Sequence, residues 1–340
     1  MPLDKSLGYQ KPVLSSDGLY AARGVLICLI VLGHVPGDAA GFTSLKKILY
    51  NFHVYLFLLI SMLHPVREFS PRAVFNLAAR YLLPVAVASF CAFWLFGIFV
   101  ADRTPLDAAS HLPVYLLAFL TGNYAHWDAA TGLELFWFMY ALIGLIVTRA
   151  FARSCFRSTV GSVAFLLVCA AISYVAVALI KDSVPAYLGV SVYFAVFGAL
   201  TFLVFDVLSR FFNPAPGGGV LFVALFLALS LFWVPHHSYN LAHLRVPLFP
   251  WSADYLAHVL FVSSAFGTLA FFSEKKYIIH AFRRLGKNSI GIYLVHMFFL
   301  YPASLAAPRI MPECWMTIAL IFSVALAASL LFSLAIYPRK

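Results

Sequence analysis

The sequence predicts an all-α integral membrane protein, a bundle of about ten transmembrane helices with both termini cytoplasmic. Three observations predict it. Of 340 residues, 63% are hydrophobic and only 11% are charged, against about 25% charged in a soluble domain. The mean hydropathy is +0.92. Apolar runs of about 17–23 residues recur along the whole chain, the length a helix needs to cross about 30 Å of hydrocarbon. Too few polar residues are present to cover a water-soluble fold of this composition. A soluble enzyme, a disulfide scaffold and a disordered chain are therefore excluded. In lipid the backbone must satisfy its own hydrogen bonds, which leaves helices as the spanning element for runs of this length.

The expected spans are 19–36, 48–64, 80–101, 133–150, 158–180, 186–206, 217–235, 252–272, 289–306 and 315–337. The first is long enough to cross and lacks a small-residue cleavage site, so it reads as an uncleaved signal anchor. An eleventh stretch, Leu112 to Gly122, is short. The basic residues decide its place. With ten spans and the N-terminus inside, seventeen Lys and Arg face the cytoplasm and six face out; if 112–122 crosses, the split becomes nine against fourteen. The positive-inside rule selects the first arrangement and makes 112–122 a partly buried outer segment. The same loops account for the net charge of +10 without nucleic acid. The Pro-Gly stretch Asn213–Gly219 is a cytoplasmic turn. No internal repeat and no soluble insert emerges, so residues 1–340 form one polytopic domain. The five cysteines show no CxxC spacing and read as apolar filler.

Polar residues inside apolar runs carry the functional signal, because a charge within a span usually faces a bundle interior or a cavity. Arg23 and His34 share one face of the first helix. Eleven residues fall within about 20° of three full turns and rise about 16 Å, with Arg23 at the inner end. His53, in YNFHVYLFLLIS, sits at about the depth of His34 on the second helix. Ser61 is deeper and suits helix packing. Arg80 opens the third helix at the inner face in RYLLP, with Arg72 eight residues earlier. Positive-inside anchoring explains both arginines, and so does an anion site, since a guanidinium forks onto phosphate. Glu134 begins the fourth helix on the outer side in GLELFWFMY. There it either favours the helix dipole or meets His34 or an acceptor. Trp137, Phe138 and Tyr140 follow as interfacial aromatics or as flat surfaces for a sugar. The basic run EKKYIIHAFRRLGKNS, with Lys275, Lys276, Arg283, Arg284 and Lys287, is cytoplasmic. It follows topology and anionic lipid, or attracts a polyphosphate. Tyr293 and His296 lie three residues apart near mid-membrane.

Several chemistries have no motif. There is no G-x-x-x-x-G-K-[ST] loop, no G-x-S-x-G and no H-E-x-x-H. The outer histidines His236, His237 and His243 have no acidic or Cys partner at metal spacing, so no metal site is expected.

Taken together these segments resemble membrane acyltransferase family 3, the integral O-acyltransferases of bacterial glycans. The family's first helix carries Arg or Lys, ten residues, then His, here Arg23 and His34 ending in VLGH. Its second-helix pattern is similar to FHVYLFLLISM at 52–62, with Tyr55 for a usual proline and Met62 for a usual glycine. A late motif matches LGKNSIGIYLVH at 285–296, and the Arg-x-Leu-x-Pro opening of the third helix resembles RYLLP at 80–84. Leu77 stands where a doubled arginine is usual, and Tyr20 where an acidic residue often precedes the first Arg, with Asp17 one turn earlier.

The resemblance implies a stand-alone O-acyltransferase, most simply an O-acetyltransferase, in the bacterial cytoplasmic (inner) membrane, without a fused extracytoplasmic domain. Acetyl-CoA or another acyl-CoA is its donor substrate, with no permanently bound cofactor. The acceptor is a carbohydrate hydroxyl of an exopolysaccharide, O-antigen or other envelope glycan, free or lipid-linked. His34, Arg23 and Glu134 become the catalytic group, and Arg80, Arg72 and Lys287 the donor site. His53, Ser61, Trp137, Tyr293 and His296 line the acceptor pocket. A transporter or flippase of a lipid-linked glycan or small solute is the alternative, though such folds often carry the inverted repeats this chain lacks. A non-catalytic membrane scaffold is a third reading, which would tolerate loss of His34.

Overall fold

The structure, a computed structural model, describes residues 14–37, 39, 41–63, 70–99, 104–122, 124–131, 136–155, 161, 165, 168, 171, 189–212, 218–237, 252–310 and 314–336. Every regular element among the described residues is helical.

Helix α1 runs Ser16–His34. The Ser15 hydroxyl caps it by accepting from the Gly18 N–H at 3.0 Å, as a serine N-cap does. It stops at His34 because Val35 is extended (φ −61°, ψ 123°), the conformation Pro36 imposes on the residue before it.

The expected single span 48–64 is two helices, α2 (Phe42–Tyr50) and α3 (His53–Met62). The backbone leaves the helical path at Phe52, with φ −138°. The Asn51 side chain turns back to donate to the Lys47 carbonyl at 2.8 Å, satisfying one of the carbonyls a helix end leaves open.

Helix α4 (Pro71–Phe99) starts nine residues before its expected beginning and carries Pro84 inside it. Three short helices follow: α5 (Pro105–Ser110), α6 (Leu112–Thr121) and α7 (Tyr124–Thr131). The ten residues of α6 make about 15 Å, half of a hydrocarbon core. Gly122 closes α6 at φ 63°, a left-handed C-cap that glycine adopts without strain. Its Tyr115 hydroxyl lies 3.2 Å from that of Ser89 on α4, and the Tyr115 ring packs on Trp127 of α7.

Helix α8 spans Trp137–Cys155, slightly later than expected. The expected span 158–180 lies almost wholly outside the described residues. Then come α9 (Gly189–Phe212), α10 (Gly218–Phe232) with a 3-10 turn at Val234–His236, α11 (Ala253–Ser273), α12 (Lys276–Lys287), α13 (Ser289–Ile310) and α14 (Trp315–Ile336). Five described stretches are long and apolar enough to cross a membrane: 16–34, 218–236, 253–273, 289–307 and 315–335.

Helix α12 is the feature that composition hid. The basic run read as a cytoplasmic stretch is an amphipathic helix laid along α1. The approach is so close that backbones touch. A Cβ on Gly24 would overlap the Phe282 carbonyl, and one on Gly286 would overlap the Tyr20 carbonyl. Close contact of this kind is what binds helices in lipid, where burial of apolar side chains gives no net drive. Polar ties fix the same end. The Glu274 carboxylate accepts from the Ser15 N–H at 2.7 Å and from its hydroxyl at 3.0 Å, and Arg283 pairs with Asp17 at 2.8 Å. Helix α1 also packs on α3, α11 and α13, so Leu26, Ile27, Ile30 and Val31 are fully buried. The helix bearing Arg23 and His34 is thus held along most of its length.

Candidate active site

Three histidines meet where α1 ends, α3 begins and α13 passes. His34 is in the last turn of α1. Its ring contacts His296 of α13 edge to face, with centroids 5.2 Å apart. Tyr50, the last residue of α2, lies 6.2 Å from His34 and 5.3 Å from His53. The Tyr50 hydroxyl donates to the Gly33 carbonyl at 3.3 Å, tying the break between α2 and α3 to the end of α1. Tyr293 packs on His296 at 5.8 Å and on Phe138 at 4.9 Å, and Phe138 on Phe57 at 5.4 Å. A continuous wall of rings results. His53 and His296 are fully buried, whereas His34 is only partly buried.

The backbone sets the chemistry of these rings. Nδ1 of His34 donates to the Ile30 carbonyl at 2.8 Å. A carbonyl only accepts, so this nitrogen carries the hydrogen, and a neutral ring then presents Nε2 as a lone pair. Among the described residues Nε2 of His34 has no partner. The helix supplies the orienting contact that a carboxylate supplies in a Ser-His-Asp triad. The carbonyl end of α1 also favours the positive ring that proton uptake creates. Because Nδ1 is occupied, Glu134 would reach this ring only through Nε2; Glu134 lies outside the described residues.

The cations gather at the Arg23 end of α1. Arg23 is partly buried and adjoins Gly24, at the level of Phe282 on α12. Lys276, His280, Arg283, Arg284 and Lys287 share one open face of α12. The Lys287 ammonium stands 5.6 Å over the Tyr20 ring. Arg72 is exposed on α4. The side chain of Arg80 lies outside the described residues, and only its place on α4 is given.

The other sequence candidates fall as follows. Ser61 donates to the Phe57 carbonyl at 2.9 Å, which serves helix packing. Trp137 is buried and packs on Phe138. Tyr50 was missed, because it reads as an ordinary apolar residue at the start of a span. Its place one turn before His53 was the available signal. Folding also brings Asp254 of α11 to 3.2 Å from His237, a pair that does not lie at metal-ligand spacing in the sequence. Residues distant in sequence become neighbours there, which spacing alone does not reveal. No group of three metal-ligating side chains forms among the described residues.

The deciding comparison covers almost all of this architecture. The family model of acyltransferase family 3, described as an acyltransferase domain, matches residues 17–337. The chain belongs to acyltransferase family 3. It is an acyltransferase, in a family whose members generally act on carbohydrates, and its apolar helices fit a multi-pass membrane protein. No curated protein and no solved structure matches the chain.

Proposed function

We propose that the enzyme moves an acyl group, most simply acetyl, from cytoplasmic acyl-CoA to a hydroxyl of an envelope glycan. The protein would sit in the bacterial inner membrane with ten spans and both termini cytoplasmic. The observation that carries this reading is the His34 ring, pinned at Nδ1 by Ile30, with its Nε2 open.

The layout divides the task between two ends of α1. The donor phosphates would rest on Arg23, Arg80 and the basic face of α12, with Lys287 at its upper end. An acyl chain on its flexible arm would then extend the roughly 16 Å that separate Arg23 from His34. A sugar hydroxyl is a weak nucleophile at neutral pH. Nε2 of His34 takes its proton as the oxygen attacks the thioester carbonyl. The new C–O bond forms, the C–S bond breaks, and the departing thiolate recovers the proton from the imidazolium. The products are the glycan ester and free CoA. The ring wall of Phe57, Phe138 and Tyr293 limits access of water, which would otherwise hydrolyse the thioester.

Mass spectrometry of surface glycans from cells with and without the protein tests this reading. An ester-sized mass difference is expected. Identical glycans, together with altered transport of a lipid-linked precursor, would replace it with the flippase reading.

A further inference from the structure

The three histidines are alike in a way that acyl transfer from His34 alone does not require. Nδ1 of His53 is bonded to the Leu49 carbonyl, and Nδ1 of His296 to the Tyr293 carbonyl at 2.7 Å. By the argument made for His34, each neutral ring offers Nε2 as an acceptor. Nε2 of His53 and Nε2 of His296 are buried and have no partner among the described residues. The site therefore presents several acceptors from adjacent rings, and Tyr50 already gives its hydroxyl hydrogen to Gly33. A buried acceptor left open costs about 1–3 kcal/mol, so the ligand that fits here must bring hydrogen-bond donors.

That requirement sorts the candidates. The reacting end of a thioester carries only acceptors and leaves His296 unmet. A metal ion would suit open imidazole nitrogens, but the described residues contain no group of three ligands placed to hold one. A sugar brings hydroxyl hydrogens on neighbouring carbons. His296 is the ring in direct contact with His34, while His53 is placed against Tyr50 and beside Gly33.

Building on the acyl-transfer reading, we propose that the acceptor is bound as a diol. One hydroxyl gives its proton to Nε2 of His34 and is acylated. The adjacent hydroxyl donates a hydrogen bond to Nε2 of His296, which makes His296 a specificity-determining residue. The second hydrogen bond fixes which oxygen faces the thioester, because exchanging the two hydroxyls would bring a different carbon to His34.

The test uses the purified full-length protein in lipid nanodiscs, with acetyl-CoA as donor. The acceptors are methyl hexopyranosides, their monodeoxy counterparts lacking the 3-hydroxyl, which keep no two hydroxyls on neighbouring carbons, and cyclohexanol, with ester formation read by mass spectrometry. The wild type should acylate the diol glycosides at least about tenfold better than the monodeoxy ones in kcat/KM, since a site built to bond a hydroxyl rejects the analogue without it. His296→Leu should lose about tenfold on the diols through acceptor KM. It should lose nothing further on the monodeoxy glycosides. His296→Gln, which keeps an acceptor near the position of Nε2, should recover part of the loss. Equal wild-type rates on diol and monodeoxy acceptors would overturn the proposal. So would an equal loss on both acceptors in His296→Leu, which would mark a purely structural ring. No ester on any acceptor with the wild type would instead overturn the acyl-transfer reading beneath it.

Discussion

His34 and His296 meet edge to face at 5.2 Å, although one closes the first described helix and the other lies on the last but one. The contact joins the two ends of the chain at the point where α1 stops. Away from it, α12 runs along the N-terminal half of α1 and leads directly into α13, so one continuous stretch of chain braces the helix that carries His34 at both levels. The position of the His34 ring therefore depends on residues far away in sequence as much as on its own helix.

Replacing His34 by Ala should lower the rate of acylation by about 10²–10⁴, the usual contribution of a positioned general base. The ring is only partly buried and its hydrogen bond to Ile30 is local, so the protein should remain in the membrane in normal amounts. Quantifying glycan ester and membrane-bound protein in the same cells checks both halves. Wild-type acylation in this variant would remove His34 from the mechanism.

Arg23→Lys and Arg80→Lys keep the charge but lose the planar fork. Each should raise the apparent KM for acyl-CoA several-fold and leave acceptor selectivity unchanged. Steady-state kinetics with donor and acceptor varied in turn will separate the two. A change confined to acceptor kinetics would move the donor site away from the inner end of α1.

How far the sequence could be read depended on the kind of signal. Long apolar runs gave most of the helices, because hydropathy reports length directly. The break at Asn51 and Phe52 was invisible, since Ile48–Tyr50 before it and α3 after it are mostly apolar and no Pro or Gly separates them. Periodicity placed Arg23 and His34 on one face, and the late motif supplied His296 and Tyr293. It did not bring them to His34, because a contact between distant helices leaves no trace in spacing. The pairing of α12 with α1 was concealed in the same way. Charge made 275–287 read as a basic cytoplasmic run, while Gly24 and Gly286, which permit the close approach, are small residues with no pattern of their own.

Gly24→Ala and Gly286→Ala each place a methyl group against a backbone carbonyl. Neither carbonyl can swing aside as a side chain would, so each variant should lose about 1–3 kcal/mol of stability. Thermal unfolding in detergent should show the loss, and activity should fall with it through displacement of α1. Unchanged stability in both would mean that α12 does not pack on α1 in the way described.

Glu274→Ala removes the carboxylate that receives both the Ser15 amide and its hydroxyl. The expected cost is about 1 kcal/mol, typical of a lost N-terminal cap. Glu274→Gln should keep most of that stability, because an amide oxygen still accepts. Melting temperatures of the two variants against wild type will distinguish them.

Membrane sidedness is testable by cysteine labelling in a cysteine-free background. Sites at Ser154 and Lys276 should react only with membrane-permeant reagent, and a site at His237 should react from outside. The reverse result at Ser154 and His237 would give eleven spans and send α6 across the bilayer.

The bracing of α1 by α12 also has a meaning for biosynthesis. The ribosome makes α1, Ser16–His34, long before α12, Lys276–Lys287. Throughout that interval the first helix, with Arg23 inside it, waits in the lipid without the partner whose backbone it will touch. A nascent helix with an unsheltered guanidinium is costly to hold there, and long-range contacts of this kind form late and slowly. Chains truncated before residue 276 should therefore be poor substrates for final assembly and good ones for membrane proteases. Supplying the missing C-terminal part as a separate polypeptide should rescue them, because the two pieces would dock through the same glycine-lined seam.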